Sequence, residues 1–463
     1  MSSKLFLLLS SIDLFRTKGD LVMKINIVYE VNNREFNNCL LIQRELIRRG
    51  HNAKIYNKCE SLLLRDNSKS VTLIPNSYRN SDLDHYRYCF NSNGGIVIIY
   101  PCEQVTNHRM PAFFDYSDGN LVKSLPHLCW SKDYFDYIES LGFNNELSKI
   151  VGAVQLDYCR PEFSGFYVKR DYLSSKYNLP KNKKWMLFIS DFVLDNEEKF
   201  NRLLNAGDVE RNILELRREH ERKSMIEILK WFECFLQNNK NYILIYRKHP
   251  VEILSETIVS FQKKFPDQVY CISELGIKDW IFNCERIVTW NSTSVVECYA
   301  ANKNIHLLRP VPFDEENGLA EYPFYRVMEG ITSYERFEEH IENDIWSYSS
   351  EVVSEINNLY SIEERPAFKR VADAIESISG LNSAIVHISG FRLGRFKYLF
   401  SRMIPVKVLI KKLLQRIYII SGFRFGNQAE KGAAINEWMA TADNLKDMKR
   451  KSILLDDIIN KFN

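Results

Sequence analysis

The sequence lacks most of the features that usually announce a function. Its 10 cysteines are scattered singly and no two form a C-x-x-C pair, which leaves no zinc-ribbon or thioredoxin-like motif. A chain of this length needs no disulfide staples, so reduced thiols in a cytoplasmic setting are expected. No apolar run reaches the roughly 20 residues that cross a bilayer. The formal net charge is +3 over 463 residues, too small an excess to draw the chain to nucleic acid. Zinc-finger spacing, an RNA-binding aromatic motif and heptads are all missing. No D-x-D pair is placed to hold a divalent ion, so no metal is expected. One absence is local: Ser377 to Ala429 contains no acidic residue.

What remains is the profile of a folded, soluble protein, 45% hydrophobic and 26% charged, long enough for two cores. Residues 1–22 read as an extension outside the fold. "LFLLL" (Leu5–Leu9) is short for a signal peptide, Asp13 follows soon, and no clear cleavage site appears. From Met23 onward short apolar runs alternate with helical spacing: "KINIVYE", then "NNREFNNCLLIQRELIRRGH" ending at Gly50, then "NAKIYN". Such alternation predicts a parallel sheet covered on both faces. The polar stretch "CRPEFSGFYVKRDYLSSKYNLPKNKK" interrupts it, and the alternation restarts at "WMLFIS". The expected architecture is α/β, two doubly wound parallel-sheet domains facing a cleft. An acceptor-side domain spans 23–165, a linker 166–184 and a donor-binding domain 185–345. Helices in 346–380 pack back on the body, and 381–463 is a basic amphipathic tail. Within 385–425, Lys and Arg alternate with Phe, Leu, Ile and Tyr, a pattern suited to an anionic membrane surface or to packing on the body.

Ligands of doubly wound sheets sit beyond the carboxyl ends of the strands, which directs attention to four places. "ILIYRKHP" ends a strand in Arg247, Lys248, His249 and Pro250, where cations and an imidazole can meet a phosphate. Solvated charges at an ordinary strand end are the bland alternative. "RIVTWNSTSVVE" ends a strand and opens a helix with Asn291, Ser292, Thr293 and Ser294, a run of hydroxyls and helix-start amides suited to an anion. Ser294 with Glu297 also reads as a capping box. Glu30 ends the first strand, and Arg34 and Glu35 lie near the next helix start; a carboxylate there can take a proton from an acceptor hydroxyl. Arg34 and Glu35 read equally well as a surface pair. Asp191, after the first strand of the second domain, reads as a cleft carboxylate or as a helix cap.

In their order and spacing these motifs resemble the donor half of GT-B glycosyltransferases that build bacterial surface polysaccharides. The H-P pair and the S/T-rich run are similar to those of capsule Kdo transferases, polysialyltransferases and the glycerophosphate polymerases of teichoic acid synthesis. The R-E pair and the "RRGH" helix end (Arg48 to His51) resemble surface carbohydrate (capsule and O-antigen) biosynthesis proteins. Their "GNPRxD" segment is replaced here by "VGAVQLD", with Ala153, Val154 and Gln155 in place of Asn, Pro and Arg. The resemblance covers roughly residues 23–375. It implies that His249, Pro250, Ser292, Thr293 and Ser294 hold the phosphate of a CMP- or CDP-linked donor, with Glu297 on the ribose or base side.

The expected activity is transfer of a sugar from a nucleotide-activated donor, CMP-linked by preference, to a lipid-linked or oligosaccharide acceptor. No separate cofactor is needed, since preorganised donors and positive charge can stabilise the departing phosphate. An inverting reaction needs one base, Glu30 first; a retaining one could use Asp191 as nucleophile. A CDP-polyol phosphotransferase, a non-catalytic member of an assembly complex and, less strongly, a nucleotide-sugar epimerase fit the same motifs. A cytoplasmic protein on the inner face of the membrane is expected.

Overall fold

In the computed structural model the described residues are 22–31, 35–58, 70–77, 82–86, 95–104, 120–144, 146–206, 211–249, 252–312, 323–345, 348–380 and 445–462. Pro250, Arg34, the extension 1–21 and the basic segment 381–444 lie outside them.

The first sheet contains β1 (Lys24–Tyr29), β2 (Asn52–Asn57), β3 (Val71–Ile74) and β4 (Ile96–Ile99) in the order β2-β1-β3-β4. All its ladders are parallel. A parallel bridge from Ile99 to His127 leads on to the short pair β5 (Leu128–Cys129) and β6 (Lys149–Ile150). The second sheet contains β7 (Lys184–Ile189), β8 (Tyr242–Arg247), β9 (Val269–Cys271), β10 (Arg286–Thr289), β11 (His306–Leu308) and β12 (Gly330–Ile331). Its order is β12-β11-β10-β7-β8-β9, again all parallel. Strands such as "WMLFI" and "YILIY" are buried along their whole length, as parallel strands covered on both faces must be. The two doubly wound sheets expected from the alternation are therefore present.

Both sheets reverse direction once. In the first, the chain moves from β1 out to β2 and returns to β3; in the second, it moves from β7 through β8 to β9 and returns to β10. The crevices that such reversals open lie between β1 and β3 and between β7 and β10.

The domains share apolar packing. Trp130, Ala153, Leu156 and Cys159 of the first belong to one buried cluster with Trp185, Leu187 and Val295 of the second. The helix Val154–Asp157, just after β6, packs against the helix Ser294–Ala300, just after β10. The chain then crosses back, and the helix Ala367–Gly380 packs on the first helix, Asn37–Arg48. Asp157 anchors this crossing: its carboxylate accepts from the backbone N–H groups of Ala367 (3.0 Å) and Phe368 (2.8 Å) and from Arg160 (3.0 Å).

Two segments differ from their sequence reading. The stretch read as a linker contains the helix Arg170–Tyr177, with Leu173 and Leu179 in the shared core. Arg170 lies over the Trp185 ring at 4.0 Å, so the polar face that reads as a linker covers a buried one. The end of the segment read as a tail is the helix Leu445–Asn460, whose Leu455, Ile458 and Ile459 are buried in the core of the first domain. Among the described residues no helix is long and apolar enough to cross a membrane.

Gly152 has φ +80°, and a Cβ there would stand 2.3 Å from Arg370 Nη2 and 3.0 Å from the Ser361 carbonyl. Gly152→Ala is expected to lower stability by roughly 1–3 kcal/mol, the range for a non-glycine residue held in a strained backbone state. Chemical denaturation measures it, and an unchanged midpoint would contradict the crossing geometry.

Candidate functional site

At the second reversal point three strands run side by side. The ladders place Ile189 of β7 opposite Arg247 of β8 and opposite Thr289 of β10. His249, Asp191 and Asn291 each follow two residues past that row. With neighbouring strands about 4.8 Å apart, the three emerge on one edge of the sheet. Asn291 Nδ2 donates to Asp191 Oδ2 at 3.2 Å, bridging β10 and β7 at the reversal itself. Asn291 is buried, and among the described residues its Oδ1 has no hydrogen-bond partner.

The turn at His249 is built by a residue that sequence reading passed over. Glu252 is 1% exposed. Its carboxylate accepts from the His249 N–H (3.0 Å) and from the Tyr246 hydroxyl (2.8 Å), which is itself bonded to Ser190 Oγ (2.8 Å). Its backbone N–H donates to the His249 carbonyl at 2.9 Å. The strand end of β7 is thus tied to the turn after β8. Burial pushes the Glu252 carboxyl above the usual carboxylate range, against the hydrogen bonds that favour its charged form.

The cations beside His249 are engaged within the protein. Lys248 Nζ donates to the Glu252 carbonyl at 2.7 Å. Arg247 donates to the carbonyls of Glu274 (2.8 Å) and Leu275, holding Leu275 at φ +65°. Of the three charged or titratable side chains expected to meet a phosphate, Arg247 is therefore committed to the turn after β9.

The hydroxyl run is arranged differently from a capping box. The helix begins at Ser294 with Thr293 as N-cap in helical conformation, and no side chain caps it. Glu297 instead pairs with Lys278 at 3.5 Å. The first amides are used locally: Ser294 N–H donates to Ser292 Oγ (3.3 Å), and Val295 N–H to the Ser292 carbonyl (3.3 Å). The expected row of open helix-start amides is thus largely closed by the loop itself. Thr293 is exposed and Ser292 half-buried, while Ser294 is buried.

At the first reversal point the two glutamates divide. Glu30 forms an ion pair with Lys58, past the end of β2, at 2.8 Å. Glu35 is 4% exposed and lines a cleft with Asn38, Cys39, Cys102, Trp130 and Gln155. It accepts from the Glu30 N–H at 2.7 Å and from the Cys102 thiol at 3.1 Å. Asn76, just beyond β3, accepts from the Cys102 N–H at 3.0 Å. Gln155 belongs to the short helix that packs on Ser294–Ala300. Gln155 of the Glu35 cleft and Ser294 of the hydroxyl run thus belong to the two helices of one interdomain contact. Among the described residues no group of three or more His, Cys, Asp or Glu is placed to hold a metal ion.

No protein-family model matches the sequence, and no curated protein matches it. Solved structures similar in shape include one assigned as a UDP-N-acetylglucosamine 2-epimerase from Listeria monocytogenes. It is 10% identical with a TM-score of 0.48, covering 78% of this chain and 98% of that one. The wall teichoic acid polymerase TagF is 10% identical, with a TM-score of 0.41 and coverage of 77% and 89%. The UDP-GlcNAc 2-epimerase from Neisseria meningitidis, bound to UDP-GlcNAc, is 12% identical, with a TM-score of 0.41 and coverage of 77% and 100%. Similarity at this level says nothing of substrate.

Removing the acceptor that builds the His249 turn has a defined cost. Glu252→Ala is expected to destabilise the protein by roughly 1–3 kcal/mol for each buried donor left unpaired. Glu252→Gln, which keeps one carbonyl acceptor, should lose less. Equal stability of the two variants would show that the carboxylate does not organise the turn.

Proposed function

We propose that the chain transfers a glycosyl group from a nucleotide-activated donor held by the second domain to an acceptor hydroxyl in the Glu35 cleft of the first. The observation that carries this reading is the adjacency of the two crevices across the contact between helices Val154–Asp157 and Ser294–Ala300. One edge offers an imidazole and hydroxyls suited to a phosphate, and the other offers a buried carboxylate suited to a hydroxyl proton.

In this reading His249 and the hydroxyls of Ser292, Thr293 and Ser294 bind the donor phosphate. Glu297, oriented by Lys278, meets the ribose or base. Asp191 and Asn291 accept hydrogen bonds from hydroxyls of the transferred group. The acceptor oxygen attacks the anomeric carbon, the bond from that carbon to the phosphate oxygen breaks, and the nucleotide leaves with the electron pair. The acceptor proton passes to Glu35, which takes the role first assigned to Glu30, because Glu30 is held by Lys58. Developing charge on the phosphate is met by preorganised donors. The motif resemblance supports a CMP-linked donor and a bacterial surface polysaccharide as product.

Thermal shift against CMP, CDP, UDP and GDP tests the donor site. A shift by at least one is expected, weakened by His249→Ala, whereas Glu35→Gln should lower turnover and leave nucleotide affinity intact. No shift by any nucleotide would remove the reading. Phosphate retained in the product linkage would assign polyol-phosphate transfer instead.

A membrane role for residues 385–425 is part of the same proposal. Both flanking helices, Ala367–Gly380 and Leu445–Asn460, pack on the first helix, so the basic segment is tied at both ends to the acceptor-side domain. Deleting 385–425 should abolish co-sedimentation with phosphatidylglycerol vesicles, and undiminished binding would exclude this segment as the contact.

A further inference from the structure

Behind the loop that follows β10 lies a set of side chains to which the reaction above gives no role. Arg309, just past β11, is 8% exposed. Its Nη1 donates to the carbonyl of Trp290, where the loop leaves the strand. Its guanidinium carbon stands 5.2 Å from the centre of the Tyr325 ring, within cation–π range. Its stem passes across Gly330 of β12, where a Cβ would lie 2.6 Å from Arg309 Cγ. Tyr325 clasps the next part of the loop. Its hydroxyl accepts from the Ser292 N–H and donates to the Ser292 carbonyl at 2.5 Å. Between these two holds sits Asn291, whose amide donates to Asp191 and whose Oδ1 is buried without a partner.

Burying a guanidinium is costly, and desolvation lowers the Arg309 pKa to about 10. An orphaned buried acceptor is costly as well. Both costs fall on one loop, at the reversal point of the sheet where a ligand is expected. Packing alone asks for neither a cation nor an unpaired amide there.

We propose that Arg309 and Tyr325 are positioning residues for the donor. They fix the backbone of residues 290–292 so that Asn291 meets a ligand hydroxyl and the hydroxyls of Ser292 and Thr293 meet a phosphate, with a fixed positive charge behind them. Gly330 is the cradle that lets the arginine stem through. This inference rests on the donor-site reading above.

Tyr325→Phe keeps the ring against Arg309 and removes only the hydroxyl, so the fold is retained. Hydrogen exchange of the full chain should then speed up at the amides of residues 291–296, while Tm falls by no more than a few degrees. Calorimetric Kd for whichever of CMP, CDP, UDP and GDP binds the wild type should rise about tenfold, the equivalent of one lost hydrogen bond. Arg309→Met should do the same with a larger loss of Tm. Arg309→Lys keeps the charge without the planar fork and should not restore affinity. Unchanged exchange in both Tyr325→Phe and Arg309→Met overturns the proposal, as does faster exchange with unchanged Kd. If none of CMP, CDP, UDP and GDP binds the wild type, the donor reading fails separately, and a donor-positioning role falls with it whatever the exchange shows.

Discussion

The alignment of Arg247, Ile189 and Thr289 across three parallel strands is the constraint on which the proposed donor site depends. Side-chain alternation has a period of two, so a slip of one residue in either ladder would turn His249 or Asn291 to the other face. The register is held by specific contacts: Thr289 Oγ1 donates to the Ile189 carbonyl at 2.9 Å across β10 and β7, and the two faces of the strands pack into separate buried clusters, Leu187 and Ile245 in one, Phe188 and Tyr246 in the other. Once it is set, the residues just past the row have little freedom. Ser190, Tyr246 and Glu252 tie β7 to β8, and Asn291 with Asp191 ties β7 to β10. The edge is a hydrogen-bonded unit rather than three independent loops.

The same economy governs the seam between the domains. Asp157 accepts three hydrogen bonds that fix the start of the crossing helix. Gly152 leaves room for Arg370, which reaches the Ser361 carbonyl and Glu363. These contacts lie in the segment "VGAVQLD". Gly152 supplies a left-handed backbone there and Asp157 a helix cap. Between them Ala153, Val154 and Gln155 supply apolar packing and one side chain that lines the Glu35 cleft.

Much of the fold was legible because parallel strands announce themselves as unbroken apolar runs, and the ends of those runs located His249, Asp191 and Asn291. What each side chain does there was not legible, because it depends on partners distant in sequence. Arg247 and Lys248 look alike beside His249, yet the carbonyls of Glu274 and Leu275 take the first and the Glu252 carbonyl takes the second. Glu252 had a faint signal, a carboxylate three residues beyond the histidine. Glu30 and Glu35 differ only in that Lys58 reaches one and the cleft surrounds the other. Ser294 and Glu297 match a capping box in spacing, but Lys278, on a neighbouring helix, draws Glu297 away. Leu445–Asn460 was hidden for another reason: its apolar stripe follows a long basic stretch and reads as a continuation of it.

The distribution of charge limits how the site can work. The arginine and lysine of the "RKHP" turn donate to backbone carbonyls, and Glu35, Asp191 and Glu252 place three carboxylates at the two crevices. In the proposed reading a phosphate entering the second crevice would be met by the His249 imidazole and the hydroxyls of Ser292 and Thr293, with Arg309 as a cation behind the loop. Hydrogen bonds from neutral donors to an ionised phosphate are themselves charge-assisted, so in the proposed reading such donors can hold it without a cluster of free cations. Their value rises as negative charge builds on the leaving oxygen, because donors already oriented need no reorganisation. In the proposed reading such donors would favour the transition state over the bound donor to the extent that charge grows on the leaving oxygen.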